Sequence, residues 1–338
     1  MQTLKQSIGI DVSKDDLVVC YGTINSELKQ TISSAKCFKN NPAGFKTLIS
    51  WANKLADNNL SVWFVMEATG VYYENLAYFL SENGYQLTVL LPNKIKSFMR
   101  TLDNKSKTDN LDAYAITLFG LEKTLKKWQI PDNLFKKLKE LTREYTNIKS
   151  LSTRAKNRIH AKEHSHKPTA ETLKRIKEQL NLYKQQLKEI QNEIQELIKQ
   201  DTDLYNKINN IQKIEGVGLM TIVTIIAETN GFELIESAKQ LTSYAGIDVV
   251  HNQSGYSTGK TIPSTRDKKG NGYLRRALYM PALSASKHNH KLKEMYIRLV
   301  IKKNVKKVAI TAIMRKLLLL IYTLWKKNAE YIPNYKPI

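Results

Sequence analysis

Between Leu134 and Gln200 the chain contains no glycine and a single proline, Pro168, so only the neighbourhood of that proline interrupts a helix. Leu173, Ile176, Leu180, Tyr183, Leu187, Ile190, Ile194 and Leu197 follow one another at alternating steps of three and four, the spacing of a coiled-coil seam. Leu134, Leu138, Leu141, Tyr145, Ile148 and Leu151 give a second helical face upstream, and the segment from His164 to Thr169 is expected to turn one helix back upon, or away from, the other. A stripe as long as Leu173 to Leu197 would aggregate if exposed, so it must be covered within the chain or by a second copy. The smallest assembly expected is a homodimer. A long helical arm, 126–205, is therefore predicted to separate a domain at 1–125 from one at 206–338.

Before the arm the pattern alternates. Ser7 to Val12 and Leu17 to Thr23 read as strands joined by the short link Ser13 to Asp16, and a third strand is expected around Ala35 to Phe38. A helix over Gly44 to Ala56, a strand over Leu60 to Met66, a helix near Tyr72 to Asn83, a strand at Gln86 to Leu91 and a helix after Thr108 follow. The order βββαβαβα implies α/β architecture, a mixed sheet with helices packed on it. After the arm the chain reads as mostly α-helical, with helices near Leu219 to Thr229, Ala238 to Ala245 and Leu274 to His288, and a last pair beyond Lys291. The apolar run Val308 to Trp325 carries Arg315 and Lys316 at its centre. Each charge would cost about 2.5–3.5 kcal/mol in a bilayer, so a buried amphipathic helix is expected and no membrane partner. With no signal-peptide pattern at the N-terminus, the expected location is cytoplasmic.

Charge indicates the partner class. The 53 Lys and Arg exceed the 31 Asp and Glu by 22, a field that attracts polyanions, with nucleic acid foremost. Half of this surplus lies between Arg266 and Lys307, where thirteen basic residues face only Asp267 and Glu294. Candidate nucleic-acid contacts are Lys260, Arg266, Lys268, Lys269, Arg275 and Arg276 there, and Arg154, Lys156 and Arg158 on the arm, which could equally be a solvated helix face. Ile214 to Thr221 has the shape of a helix-hairpin-helix turn, in which Gly216 and Gly218 either admit a phosphate or permit tight helix packing. Two cysteines, Cys20 and Cys37, without CxxC spacing exclude a cysteine zinc finger, an iron–sulfur site and a disulfide framework. His160, His164 and His166 lack the accompanying ligands of a zinc site, and no zinc is expected.

The acidic residues carry the chemistry. Asp11 ends the first strand, in Ile8-Gly9-Ile10-Asp11-Val12-Ser13-Lys14, and Glu67 ends the strand Trp63 to Glu67. Asp109 and Asp112 stand three apart and so share one helix face. Any one of them alone is more often a solvated residue or, like Asp109, a partner of a helix N-terminus. If the strands are neighbours and the helix covers their ends, four carboxylates converge, a set that calls for Mg²⁺ or Mn²⁺. Two such ions can serve phosphodiester cleavage. Placement on the first strand, a later strand and a terminal helix is the layout of a ribonuclease-H-like nuclease.

These motifs, with Glu67-Ala68-Thr69-Gly70-Val71-Tyr72 and Lys107-Thr108-Asp109-Asn110-Leu111-Asp112-Ala113, resemble the three acidic motifs of the DEDD insertion-sequence transposases, the bridge-RNA-guided recombinases. The resemblance covers nearly the whole chain. It implies a RuvC-like N-terminal domain in which Asp11, Glu67, Asp109 and Asp112 form the tetrad, and a C-terminal domain with a catalytic serine. The stretches Leu241 to Asp248, Asn252-Gln253-Ser254-Gly255 and Gly270 to Tyr279 match that second domain, with Ser254 at the position of its nucleophile. Thr261 to Asp267 departs from the family's usual pattern, so Ser257 and Ser264 stand as alternatives. By itself Ser254-Gly255 reads as a turn, and His251 forms no evident triad with it. The resemblance further implies DNA ends and target as substrates, a non-coding guide RNA, and a composite site in a homo-oligomer, a dimer or, on DNA, a tetramer. Two rivals remain open: a structure-selective endonuclease like a Holliday-junction resolvase that uses water, and a basic coiled-coil nucleic-acid-binding protein without catalysis.

Overall fold

The computed structural model describes residues 2–68, 70–102, 108–233, 235–250, 262–263 and 270–333. The chain divides into two compact units, Met1–Ile130 and Pro131–Ile338, the long helices belonging to the second.

The first unit is built on β1 (Thr3–Val12), β2 (Asp16–Asn25), β3 (Gln30–Ile32), β4 (Lys36–Lys39), α1 (Pro42–Leu55), β5 (Val62–Glu67), α2 (Glu74–Glu82), β6 (Gln86–Leu90), α3 (Pro92–Met99) and α4 (Asp109–Glu122). The sheet runs β3-β2-β1-β5-β6, with β4 also on β2. β1 to β4 pair antiparallel, whereas β5 and β6 join β1 in parallel through helical crossovers. This antiparallel meander continued by parallel strands is the ribonuclease-H-like arrangement. The strand expected around Ala35 to Phe38 is β4, and the three-residue β3 is an addition; both pair with β2, and between them the Ser33 hydroxyl accepts the Tyr21 N–H at 3.0 Å. The short α3 is a further addition, started by Pro92 at its first turn, a residue that also reads as the end of a strand.

Alternation along β1 sorts the two faces. Ile8 and Ile10 are fully buried with Leu17, Val19, Phe45, Leu48, Phe64, Met66, Leu76 and Leu80. The other face carries Ser7 and Gly9 and receives α4. A Cβ on Gly9 would overlap the Thr117 backbone nitrogen and lie 2.7 Å from the Ala113 carbonyl, and a Cβ on Gly120 would overlap Ser7 Oγ. The buried Thr117 hydroxyl accepts the Gly9 N–H at 3.1 Å and lies 3.2 Å from the Cys20 carbonyl oxygen. Only residues without a side chain at 9 and 120 let helix and sheet meet this closely.

The second unit comprises α5 (Asn133–Glu163), α6 (Ala170–Gln200), α7 (Thr202–Gln212), α8 (Leu219–Glu228), α9 (Ala238–Ala245), β7 (Val249–Val250), β8 (Ile262–Pro263), α10 (Gly272–His288), α11 (His290–Lys303) and α12 (Lys306–Lys327). α5 and α6 form an antiparallel hairpin, as the pairs Lys177–Glu163 at 2.9 Å and Lys137–Glu193 at 3.4 Å require. Ile176, Ile190, Ile194 and Leu197 are buried, and Leu173, Leu180, Tyr183 and Leu187 half-buried. The predicted stripe is thus covered within the chain. No glycine or proline separates α6 from α7; Asp201, in extended conformation, ends one and caps the other through the Leu204 N–H at 3.0 Å. α12 is long and apolar enough to cross a membrane by length and composition, yet it buries Ile310, Ile313, Leu317, Leu318 and Ile321 in the core of this unit. Arg315, at its centre, faces Asp248 at 3.5 Å.

Candidate active site

Strand register brings the first two carboxylates together. In the parallel pair of β1 and β5, Ile8 lies opposite Phe64 and Ile10 opposite Met66, all four on the face away from α4. The next residue along each strand, Asp11 and Glu67, therefore falls on the α4 face, at the carboxyl ends of adjacent strands. The direction of α4 supplies the rest. Ala113 and Thr117 cover Gly9, and Gly120 covers Ser7 and Val65, so the helix runs down the strand as its numbering rises. Its first turn, with Asp109 and Asp112, thereby comes to the end of the sheet that carries Asp11 and Glu67.

Local chemistry fixes that turn. Thr108 caps α4 by accepting the Leu111 N–H at 3.3 Å, and Asp109 and Asp112 lie in the first turn, where carboxylates are favoured by the helix dipole. Asp11, Glu67 and Asp112 are half-buried, with Asp112 Oδ1 shielded from solvent, while Asp109 is exposed. Among the described residues no three carboxylate, histidine or cysteine side chains are gathered closely enough to hold an ion. The fit to a divalent metal is therefore one of donor chemistry and backbone placement. Asp11, Glu67, Asp109 and Asp112 offer hard carboxylate oxygens, a chemistry that would suit a divalent ion such as Mg²⁺ or Mn²⁺.

Ser254, with Ser257, Ser264, His251, Lys260, Arg266, Lys268 and Lys269, lies outside the described residues. The two feet of that stretch are described. Val249 pairs with Pro263 and Val250 with Ile262. Gly270 at φ +79° abuts Gly246 at φ +67°, a Cβ on Gly270 falling 2.5 Å from the Gly246 nitrogen, and the Asn271 N–H donates to the Tyr244 carbonyl at 2.7 Å.

Beside these feet is a buried ionic network that sequence reading missed. The Glu228 side chain is fully buried at the C-terminal end of α8 and receives Arg143 of α5 bidentately, Nε at 2.6 Å and Nη2 at 3.0 Å. Asn271 Nδ2 donates to the same carboxylate at 2.7 Å, and the Tyr244 hydroxyl donates to the Glu228 carbonyl at 2.9 Å. The hydrogen bonds to Glu228 raise the Arg143 pKa, and burial raises that of Tyr244. The guanidinium of Arg143 lies 4.6 Å from the centre of the Tyr273 ring. A glutamate closing the apolar run Ile222 to Ala227 was the available signal; its partner, 85 residues away, was not.

The remaining candidates differ in setting. Arg154, Lys156 and Arg158 are exposed along α5. Gly216, at φ +86°, lies against α10, where a Cβ would come within 3.0 Å of the Ala285 nitrogen, whereas Gly218 opens α8 with nothing near it. Arg276 is exposed, and its guanidinium stands 5.7 Å from the Tyr273 ring centre. Arg275 is half-buried and donates to the Ala245 carbonyl at 2.9 Å; burial, then the charge of Arg276, lowers its pKa. The His160 and His164 rings stack at 4.2 Å near the turn of the arm.

Residues 8–162 match a DEDD-type IS110 transposase model, and residues 208–297 match a model described as the transposase IS116/IS110/IS902 family. The pilin gene-inverting proteins of Moraxella bovis and Moraxella lacunata are each 27% identical over 328 residues, which is 97% of this chain and 98% of theirs. Among solved structures, T. thermophilus RuvC in complex with a Holliday junction substrate is similar over 33% of this chain and 90% of its own, at 13% identity and a TM-score of 0.25.

Proposed function

Because the chain belongs to the IS116/IS110/IS902 transposase family, an enzyme family acting on DNA, we propose that it cleaves and rejoins DNA strands at the ends of a mobile element and at a target through a serine-linked intermediate. The observation that supports this reading best is the register of β1 on β5, which sets Asp11 beside Glu67 under the helix that bears Asp109 and Asp112. These four would hold Mg²⁺ or Mn²⁺, which when bound supplies Lewis-acid stabilisation of the charge on the reacting phosphate. Ser254 is the nucleophile. Its oxygen forms a bond to phosphorus, the bridging bond to one deoxyribose breaks, and the departing oxygen takes a proton to leave as a free hydroxyl. Attack by a hydroxyl of another strand reverses these bond changes, restores a phosphodiester and frees the serine.

The functional segments are the tetrad domain at 1–125, the arm at 126–205 and the serine domain at 206–338. Arg154, Lys156, Arg158 and Arg276, and the basic residues Lys260, Arg266, Lys268 and Lys269, meet phosphates of DNA and of a non-coding guide RNA in the cytoplasm. The guide RNA and the homo-oligomer with a composite site rest on family membership. The covered seam of the arm supplies no separate argument for a second copy.

The product records the nucleophile. End-labelled DNA from the element's flanks is incubated with the transcript of the adjoining non-coding region, Mg²⁺ and protein, then denatured. Label that migrates with protein until protease is added is expected for the native chain and absent for Ser254→Ala, with milder effects for Ser257→Ala and Ser264→Ala. Cleavage without adducts under trapping conditions would instead identify a hydrolytic nuclease, and metal-independent or absent activity a binding protein.

A further inference from the structure

The network around Glu228 is costly as a stability device. A carboxylate at the C-terminal end of a helix opposes the helix dipole, and burying it removes its hydration, so an apolar side chain of similar size would serve packing at least as well. What the carboxylate adds is direction. Its two oxygens take Arg143 in the fixed fork of a bidentate pair and hold Asn271 from the other side. Asn271 is held at several points at once. Its Nδ2 donates to Glu228 at 2.7 Å and approaches the Tyr244 hydroxyl at 3.3 Å, its Oδ1 accepts from the N–H groups of Tyr273 and Leu274 at 2.9 and 3.3 Å, and its own N–H is bonded to Tyr244. It also stands directly before α10, and Gly270 beside it is wedged on Gly246 at the opposite foot.

We propose that Glu228 and Arg143 are positioning residues of the recombination reaction, acting through Asn271. Glu228 fixes Asn271, Asn271 fixes the start of α10 and its junction with Tyr244, and the separation and orientation of the two feet follow. This rests on the reading that the chemistry lies between those feet, at Ser254. A displacement of about 1 Å in reacting groups can lower a rate on the order of a hundredfold while binding is unchanged, and that is the signature to seek.

The test measures single-turnover strand exchange at saturating DNA in the full-length chain, using the element's flanking DNA and the transcript beside it, together with DNA affinity and the thermal midpoint. Asn271→Ala is expected to slow exchange on the order of a hundredfold, and Glu228→Gln and Arg143→Lys on the order of tenfold, with DNA affinity held within about twofold. A fall of rate, affinity and thermal midpoint together would make the network purely structural, and exchange at the native rate in Asn271→Ala would equally overturn the proposal. Tyr244→Phe, which removes one hydroxyl and keeps the ring, decides the matter should the bolder variants not fold: a several-fold rate loss at unchanged affinity supports positioning, and no rate loss refutes it. Ser254→Ala is run in parallel. If it still exchanges strands, the serine reading fails, while a selective rate loss in Glu228→Gln continues to support positioning of whichever nucleophile acts.

Discussion

In the N-terminal unit Asp11 and Glu67 are placed by backbone register, whereas in the C-terminal unit the residues that bracket Ser254 are tied by side-chain bonds to a buried charge. The first arrangement is distributed. Five register pairs join β1 to β5, and the packing of α4 on Gly9 and Gly120 sets the depth of the helix, so no single polar group decides where the carboxylates stand. The second is concentrated, because Asn271 and Glu228 carry the geometry of one junction between them. Register is robust to side-chain change and sensitive to backbone volume; a polar node is the reverse.

The largest expected effect bears on chemistry in the distributed region. Asp11→Asn and Glu67→Gln preserve shape and remove charge, so each should lower strand cleavage by at least about a thousandfold with the fold and nucleic-acid binding unchanged. Normal cleavage by both in Mg²⁺ would reject the tetrad. Next comes the node. Arg143→Met leaves the buried Glu228 without its cation, at an expected cost of about 3–5 kcal/mol measured by denaturant unfolding of the second unit. A loss below about 1 kcal/mol would show that Asn271 alone satisfies the carboxylate.

Gly9→Ala tests the opposite sensitivity. The added methyl has no room against Thr117, and overpacking of this kind costs about 1–3 kcal/mol. Both cysteines lie in the first unit, and burial pushes the Cys20 thiol up to about 11, so at neutral pH a maleimide should react with exposed Cys37 and spare Cys20. Labelling of Cys20 is expected to rise in Gly9→Ala and stay at the native level in Arg143→Met. Equal labelling in the two variants would mean that the regions open as one. The smallest effect separates two neighbours. Arg276→Ala should flatten the log–log salt dependence of DNA binding by about 0.9 for each phosphate that the arginine neutralises, while Arg275→Ala, whose guanidinium serves the Ala245 carbonyl, should lower stability and leave that slope alone.

The same contrast explains what could be read from sequence. Strand alternation and turn residues located β1, β2, β5 and β6, and the acidic candidates Asp11 and Glu67 stand at the carboxyl ends of β1 and β5, since period and chemistry coincide there. The arm was legible because its seam repeats. The short β3 was not, because Gln30, Thr31 and Ile32 are too few and too exposed to show an apolar alternation. Nor was the start of α7, where Asp201 makes the break usually marked by glycine or proline. Glu228 was hidden for a different reason: its meaning depends on Arg143 and Asn271, 85 residues before and 43 after, and no local period links them.

The hairpin of α5 and α6 has a consequence for how such chains can vary. Each limb is 31 residues, about 46 Å at 1.5 Å per residue, a span comparable with about 14 base pairs of duplex. Because the seam repeats every seven residues, adding or removing one heptad in each limb shifts the tip by about 10 Å and restores every apolar face. A change of one residue instead turns the tip by about 100° and exposes the seam. Arm length is thereby quantised, changing most readily in steps of about 10 Å per heptad.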